Sequence, residues 1–432
     1  MFKRIISVLA VVCMVIGCAG CSVSGGSQKN AGLSESDFLK ASGKYLCKKS
    51  GEGEAVLLRG TNSGGWFVQE FWMCTTLATT YVVDQTTMIA KLKDRFGDEK
   101  TEELIKCYED NFWTEKDFDN CKSLGINCIR VPLWYMNFTD DEGNMRENAF
   151  EKLDWFVKQA SDRGIYVIID MHGAYGSQNG SDHSGKDGGS YKQMESKFFF
   201  GKTAKDNQEL FYKLWEKIAE HYKGNPAVAG YDLLNEPYCT YRYNTIFPDE
   251  TLHAVLWDIY DKAYQRIRAI DPDHVIIMEA TWDPVDLPDP SQYGWTNVMY
   301  EYHNYLYDDY DNKGGGQISN MKKKIDAIKA ANYDVPSYMG EFCYMNNPDA
   351  WKEGLALLTG NEINWTTWTY KVVESYGNWG LYNQKDLRTD IENDSFETIK
   401  EKWSKAGESF ENKLLLDAIR DCFTSEVKLN KQ

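Results

Sequence analysis

The sequence predicts one (β/α)8 barrel behind a small N-terminal β-hairpin. Three observations lead there: short apolar runs of strand length recurring between Leu57 and Val372, amphipathic helical segments between them, and acidic or aromatic residues where the runs break off. Central parallel strands are buried on both faces, so they read as unbroken hydrophobic runs. A parallel barrel gathers the C-terminal ends of its strands on one face, and its chemistry sits there.

The clearest run is VAGYDLLNEPY, Val228 to Tyr238, which stops at Asn235, Glu236 and Pro237. Proline cannot continue a central strand and biases the preceding residue toward an extended backbone, which sets the Glu236 carboxylate at the strand mouth. Alone, the tripeptide also reads as a helix N-cap with an incidental acid.

With 432 residues and 42% hydrophobic content, the chain has enough core for one large barrel or two smaller domains, and no composition shift marks a second domain. A net charge of −17 and a pI near 4.9 exclude a nucleic-acid partner, which needs clustered Lys and Arg. Neutral partners fit better, and the 14 Trp and 27 Tyr suit stacking on sugar rings, although most such residues fill cores and surfaces.

Lys3 and Arg4 precede the apolar run IISVLAVVCMVIG, which is placed as the h-region of an export signal and is too short to span a bilayer comfortably. VIGC resembles a bacterial lipoprotein cleavage box, giving residues 1–21 as leader, with Cys18 lipidated and Cys21 the second choice. Residues 22–36, rich in Ser and Gly, read as a flexible tether, and residues 37–432 as the barrel domain. The expectation is an exported, monomeric protein held at a membrane surface by acyl chains. Eight of the 11 cysteines follow Cys21; their spacing fits no zinc template, and buried free thiols are expected.

The hairpin covers Phe38 to Arg59 around a Ser50–Gly53 turn. The first barrel strand runs through LLRGTNSGGWF, with Asn62 and Trp66 at its exit and Glu70 just beyond. Helical periodicity marks 88–96, 101–108 and 115–124, the last stopping at Gly125. GINCIRVPLWY is the second strand; its buried Arg130 requires a carboxylate partner, in the site or in a structural ion pair. A helix over 148–163 leads to the third strand, GIYVIIDMHGAYG, with Asp170 and His172 at its exit before a Gly-rich loop holding Asp182. A lone strand histidine is commonly a satisfied core residue; the Gly-rich loop behind this one favours a site. A helix over 205–224 precedes the fourth strand, which carries Glu236. After a helix over 251–271, HVIIMEATW is the fifth strand, with Glu279. NVMYEYHNYLY is the sixth, with His303 and Tyr305, followed by a helix over 318–331. PSYMGEFCY is the seventh, with Glu341. A helix over 351–359 and NWTTWTYKV, the eighth strand with Trp368, complete the ring before C-terminal helical segments.

Glu236 and Glu341 thus end the fourth and seventh strands and meet on one face. Two carboxylates flanking one bond are the minimum equipment for glycoside hydrolysis. Spacing alone establishes only a carboxylate-based barrel enzyme, and Glu279 offers a third acid for a metal-dependent alternative. The chain lacks a G-x-S-x-G elbow, an H-E-x-x-H pair, a Walker loop and G-x-G-x-x-G.

Arg130 in IRVP, His172 in DMHG, Asn235 and Glu236 in LLNEP, His303 and Tyr305 in HNY, Glu341 in GEF and Trp368 in WTYK together resemble glycoside hydrolase family 5, the cellulase-like retaining β-glycosidases. The resemblance implies Glu236 as acid/base, Glu341 as nucleophile, Asn235 on the sugar 2-hydroxyl and Trp368 as a platform under the ring. It also implies Arg130 and Tyr305 tuning Glu341, His172 and His303 lining the pocket, and no metal or organic cofactor. LRGTNSGGWFVQEFW and HGAYGSQNGSDHSG are similar to the exo-β-1,3-glucanase branch, in which the acids matching Glu70 and Asp182 grip the terminal glucose and close the cleft; Trp66 falls in the first of these stretches. Tyr175 and the FCY after Gly340 depart from that branch on the aglycone side. The expected partner is an oligo- or polysaccharide. An endo-acting β-1,4-glucanase or mannanase, and a glycan-binding lipoprotein on a decayed barrel, are the competing readings.

Overall fold

The computed structural model describes residues 32–186, 196–237, 249–307, 314–374 and 379–431, with the backbone alone at 249–252. The leader with Cys18, residues 22–31 of the tether, and Cys239 fall outside them. The described residues form one compact unit.

Three short strands, β1 (Lys40–Ser42), β2 (Tyr45–Cys47) and β3 (Ala55–Val56), make a small antiparallel sheet where the sequence predicts a hairpin. The barrel follows as β4 (Arg59–Asn62), β5 (Cys128–Trp134), β6 (Tyr166–Gly173), β7 (Val228–Asp232), β8 (Val275–Glu279), β9 (Val298–Asn304), β10 (Ser337–Phe342) and β11 (Asn364–Thr367). Each pairs in parallel with the next in chain order, and β11 closes on β4. Helices α1 (Gln85–Phe96), α2 (Asp98–Phe112) and α3 (Glu115–Leu124) separate β4 from β5. The later strands alternate with α4 (Glu151–Ser161), α5 (Ala204–Tyr222), α6 (Asp249–Ile270), α7 (Gly315–Ala331) and α8 (Pro348–Gly360). One strand pair departs from this alternation: β8 and β9 are joined by short turns over Pro284–Asp286 and Pro290–Gln292. A C-terminal sheet, β12 (Lys371–Val373), β13 (Tyr382–Gln384) and β14 (Ser409–Glu411), is built around α9 (Phe396–Trp403) and followed by α10 (Lys413–Thr424).

Strand side chains alternate faces, and the alternation sorts the barrel into layers. Outward positions such as Ile129, Val131, Val167, Ile169, Tyr231, Ile276 and Tyr300 join the main core beneath the helices. Inward positions near the N-terminal ends, Leu58, Cys128, Ile168, Ala229, Ile277, Met299 and Tyr338, form a separate apolar floor, sealed from below by Leu39 and Leu46. The next inward residues are polar and buried: Arg130, Asp170, Asp232, Glu279 and Glu301. A charged layer therefore rests on an apolar floor, with the strand ends above it. Gly125 ends α3 with φ of 83° in the left-handed region, where glycine carries no Cβ penalty.

Candidate active site

Arg130 is the post around which the site is built. Its Nε lies 2.8 Å from Asp232 and 3.3 Å from Glu301, and its Nη1 lies 3.1 Å from Asp170 and 2.9 Å from Glu341. Nη1 also donates to Asn62 Oδ1 at 3.2 Å and Nη2 to Asn235 Oδ1 at 2.9 Å. Burial by itself would weaken a buried guanidinium's hold on its proton; the surrounding carboxylates, Asp170 first, more than reverse this.

Glu341 stands where β10 shifts register against β9, between Met339 and Glu341. Gly340 makes the shift possible, because a Cβ there would sit 1.5 Å from Glu301 Oε1. Each Glu341 oxygen has its own donor: Arg130 Nη1 to Oε1 at 2.9 Å and the Tyr305 hydroxyl to Oε2 at 2.8 Å. The carboxylate is thereby fixed in orientation. Burial and the nearby Glu341 charge push the Tyr305 phenol well above its usual range, keeping it a donor.

Glu236 departs from the extended backbone expected before proline: its φ is +41°, a strained conformation for a residue with a Cβ. Its N–H donates to Glu279 Oε2 at 2.7 Å. Its Oε1 meets His303 Nδ1 at 2.9 Å, and its Oε2 lies 3.6 Å from His183 Nε2. Burial would raise this carboxyl; the His303 hydrogen bond and the His183, His303 and His172 rings outweigh it and hold the group well below its usual range. An oxygen of Glu236, an oxygen of Glu341 and a His303 nitrogen all lie within 4.8 Å of one another. Two carboxylates so close can act on opposite sides of one glycosidic bond.

His172 Nδ1 faces Asp170 Oδ2 at 2.7 Å, and its ring stacks on Trp368 at 5.4 Å and 3°. Burial lowers its pKa to about 3, so the ring is neutral. Glu70 accepts from Trp72 Nε1 at 2.7 Å. Burial, and then the charge of Asp182, push Glu70 well above its usual range, with Glu341 and Glu236 also contributing. These carboxylates therefore share one neighbourhood. Trp66 does not join them: it is 1% exposed, donates to the Glu109 carbonyl at 2.9 Å and stacks on Phe156 in the outer core.

Several groups of the site carry no local signal in the sequence. Asp232 and Glu301 are single acids inside apolar runs, visible only through their inward parity. Gln178 bridges the carbonyls of His172 and Asn235 at 2.7 and 2.8 Å. Trp379 touches Trp72, Tyr305 and Tyr307, and no local pattern announces it. Glu279, Glu301 and His303 bring polar atoms within 4.8 Å, as do Glu236, His303 and Glu341, but with carboxylate oxygens facing both nitrogens of His303 the ring sits as a donor to these acids rather than as a metal ligand.

Residues 96–373 match the model of the Cellulase (glycosyl hydrolase family 5) family. The chain is 29% identical over 371 residues to a beta-xylosidase of Phanerodontia chrysosporium, covering 79% of this chain and 72% of that protein. It is 29% identical over 327 residues to a probable glucan 1,3-beta-glucosidase A of Neosartorya fischeri, covering 68% and 71%. Among solved structures it is similar to rutinosidase from Aspergillus niger, with TM-score 0.54, 18% identity and coverage of 73% and 90%. It is also similar to endo-glycoceramidase II from Rhodococcus sp., with TM-score 0.56, 17% identity and coverage of 82% and 80%. These structural likenesses concern the fold alone. A family model spanning most of the chain, over a closed parallel barrel with paired carboxylates at its mouth, makes this protein a glycoside hydrolase of glycosyl hydrolase family 5.

Proposed function

We propose that the protein is a retaining β-glycosidase that removes single sugars from the non-reducing ends of β-glucans or β-glucosides, with Glu341 as nucleophile and Glu236 as acid and then base. The observation that carries this is the asymmetry of the two carboxylates. Glu341 receives one donor on each oxygen from Arg130 and Tyr305, which suits an ionised, oriented nucleophile. Glu236 instead faces the ring nitrogens of His303 and His183, side chains that carry protons in general acid–base chemistry. The close approach of the two acids fits the retaining separation of about 5 to 5.5 Å better than the wider inverting one.

In the first step Glu341 attacks the anomeric carbon while Glu236 protonates the departing oxygen. In the second, Glu236 takes a proton from water, which displaces Glu341. Among the described residues Asn235 Nδ2 has no acceptor, leaving a donor for the sugar 2-hydroxyl. Trp368 is the platform under the ring. Glu70 and Asp182 close the pocket around a terminal sugar, and the names of the beta-xylosidase and glucan 1,3-beta-glucosidase relatives support single-unit release.

The test is product length on β-1,3-, β-1,4- and mixed-linked gluco-oligosaccharides and on manno-oligosaccharides. Monosaccharide released one unit at a time is expected. Early di- and trisaccharides from mid-chain cuts would instead establish the endo-acting reading.

A further inference from the structure

His303 is surrounded by acids on both sides of its ring. Nδ1 lies 2.9 Å from Glu236 Oε1, 3.3 Å from Glu279 Oε1 and 3.6 Å from Glu341 Oε2. Nε2 lies 3.4 Å from Glu301 Oε1. A neutral imidazole would turn a lone pair toward one of these oxygens, whereas an imidazolium donates on both sides. The remaining titratable or charged groups around the His303–Glu236 pair are Arg130 from β5, Asp170 with neutral His172 from β6, His183 beyond β6, whose Nε2 lies 3.6 Å from Glu236 Oε2, Asp232 from β7, and the Tyr305 hydroxyl beyond its own strand. Arg130 is the permanent cation of this layer, and its contacts go to Asp170, Asp232, Glu301 and Glu341 rather than to Glu236 or Glu279.

We propose that Glu279 is a positioning residue: with Glu301 behind the ring, it holds His303 as an imidazolium, so that the proton given to the leaving group is stored on the His303–Glu236 pair. Resting on the glycosidase reading, this resolves a tension in the site. Glu236 must deliver a proton, yet the histidines around it favour its ionised form. When the anomeric C–O bond breaks, the proton passes from His303 Nδ1 to Glu236 and on to the departing oxygen, as Glu341 forms its bond to the anomeric carbon. His303 is then neutral. In the second half the proton of the attacking water returns through Glu236 to His303, restoring both groups.

Glu279 is suited to the role by its two contacts. One oxygen accepts the Glu236 N–H at 2.7 Å, fixing the strained peptide, and the other faces Nδ1. Burial alone would lower the His303 pKa, but Glu279, then Glu341 and Glu236, raise it to about 9. Burial also pushes the Glu279 carboxyl well above its usual range, with His303 opposing this, so the two groups titrate as a pair. Removing Glu279 takes away the partner that raises His303, and the basic limb of the pH profile follows downward.

The experiment compares wild type with Glu279→Gln on 2,4-dinitrophenyl and methyl β-glycosides, recording kcat/KM from neutral into alkaline pH. The expected result is a basic limb moved down by roughly one pH unit or more. On the alkaline side the loss on the methyl glycoside, which needs acid assistance, is expected to exceed that on the dinitrophenyl glycoside by at least about tenfold. A folded variant whose limb stays in place, or whose losses are equal on both substrates, would overturn the proposal. Independently, 15N-histidine NMR of the wild-type protein should show His303 as imidazolium well above pH 7; deprotonation near an ordinary histidine pKa of about 6.5 would overturn it without any variant. Wild-type inactivity on every dinitrophenyl glycoside would count against the glycosidase reading alone, and the NMR titration would still decide this one.

Discussion

Replacing Glu341 by glutamine is expected to lower kcat by at least about 10⁴-fold while leaving the fold intact, because the amide cannot form the glycosyl ester and nothing nearby takes its place. The side chain keeps its shape, and its oxygen still accepts from Arg130 or Tyr305, the two donors that hold the native carboxylate. Steady-state rates on a dinitrophenyl glycoside, read beside a thermal melt, separate the two effects. A folded variant with rates near wild type would remove Glu341 from the nucleophile's role. Truncation to alanine is less clean, since it also frees a buried guanidinium bond.

Arg130→Met is expected to cost about 3 to 5 kcal/mol of stability at neutral pH, the cost of breaking a fully buried ion-pair cluster by removing one side. Asp170, Asp232, Glu301 and Glu341 would then share the barrel interior without the cation they now contact. Burial already raises the Asp170 and Glu301 carboxyls well above their usual range, with Arg130 opposing it. The variant should lose that opposition. An acid whose folded pKa is raised binds more protons folded than unfolded, so its stability rises as pH falls. The deficit should therefore be largest at neutral pH and shrink in mildly acidic buffer. Urea unfolding at two pH values checks this, and a pH-independent deficit would point to lost packing instead.

Glu236 was legible because its apolar run ends at turn-forming residues, and Glu341 because a lone acid follows Gly340 near the C-terminal end of an apolar run. A strand end is a position that sequence can mark. Arg130 was legible for the opposite reason, as a cation set between apolar residues in the middle of a strand. Asp232 and Glu301 carry the same inward parity as Arg130, yet one acid in an apolar run does not interrupt the pattern that identifies the strand. Recognising the charged layer required aligning the parity of several strands at once, which pairing register supplies and sequence alone does not.

Trp66 illustrates the converse. It follows the first strand in a Gly-rich stretch, but the chain turns outward there and the indole packs on Phe156 under the helices. The extended backbone expected before Pro237 failed at Glu236 because tertiary contacts, the Glu279 carboxylate on its N–H among them, override a local preference. The C-terminal sheet was not separable in sequence: Lys371 and Val372 of its first strand fall in the run that reads as the eighth barrel strand, which ends at Thr367, and strands of three residues are too short to show a period. The barrel was plain in its central strands, because strands buried on both faces read as apolar runs, whereas β4 (RGTN) and β11 (NWTT) are mostly polar and show less in the pattern.

The most direct test of the account is the configuration of the sugar at the moment of release. Proton NMR during the first minutes of hydrolysis, before mutarotation mixes the anomers, is predicted to show the β-anomer appearing first, as two successive displacements at Glu341 require. Initial release of the α-anomer would mean a single displacement by water, and would contradict the assignment of Glu341 as nucleophile.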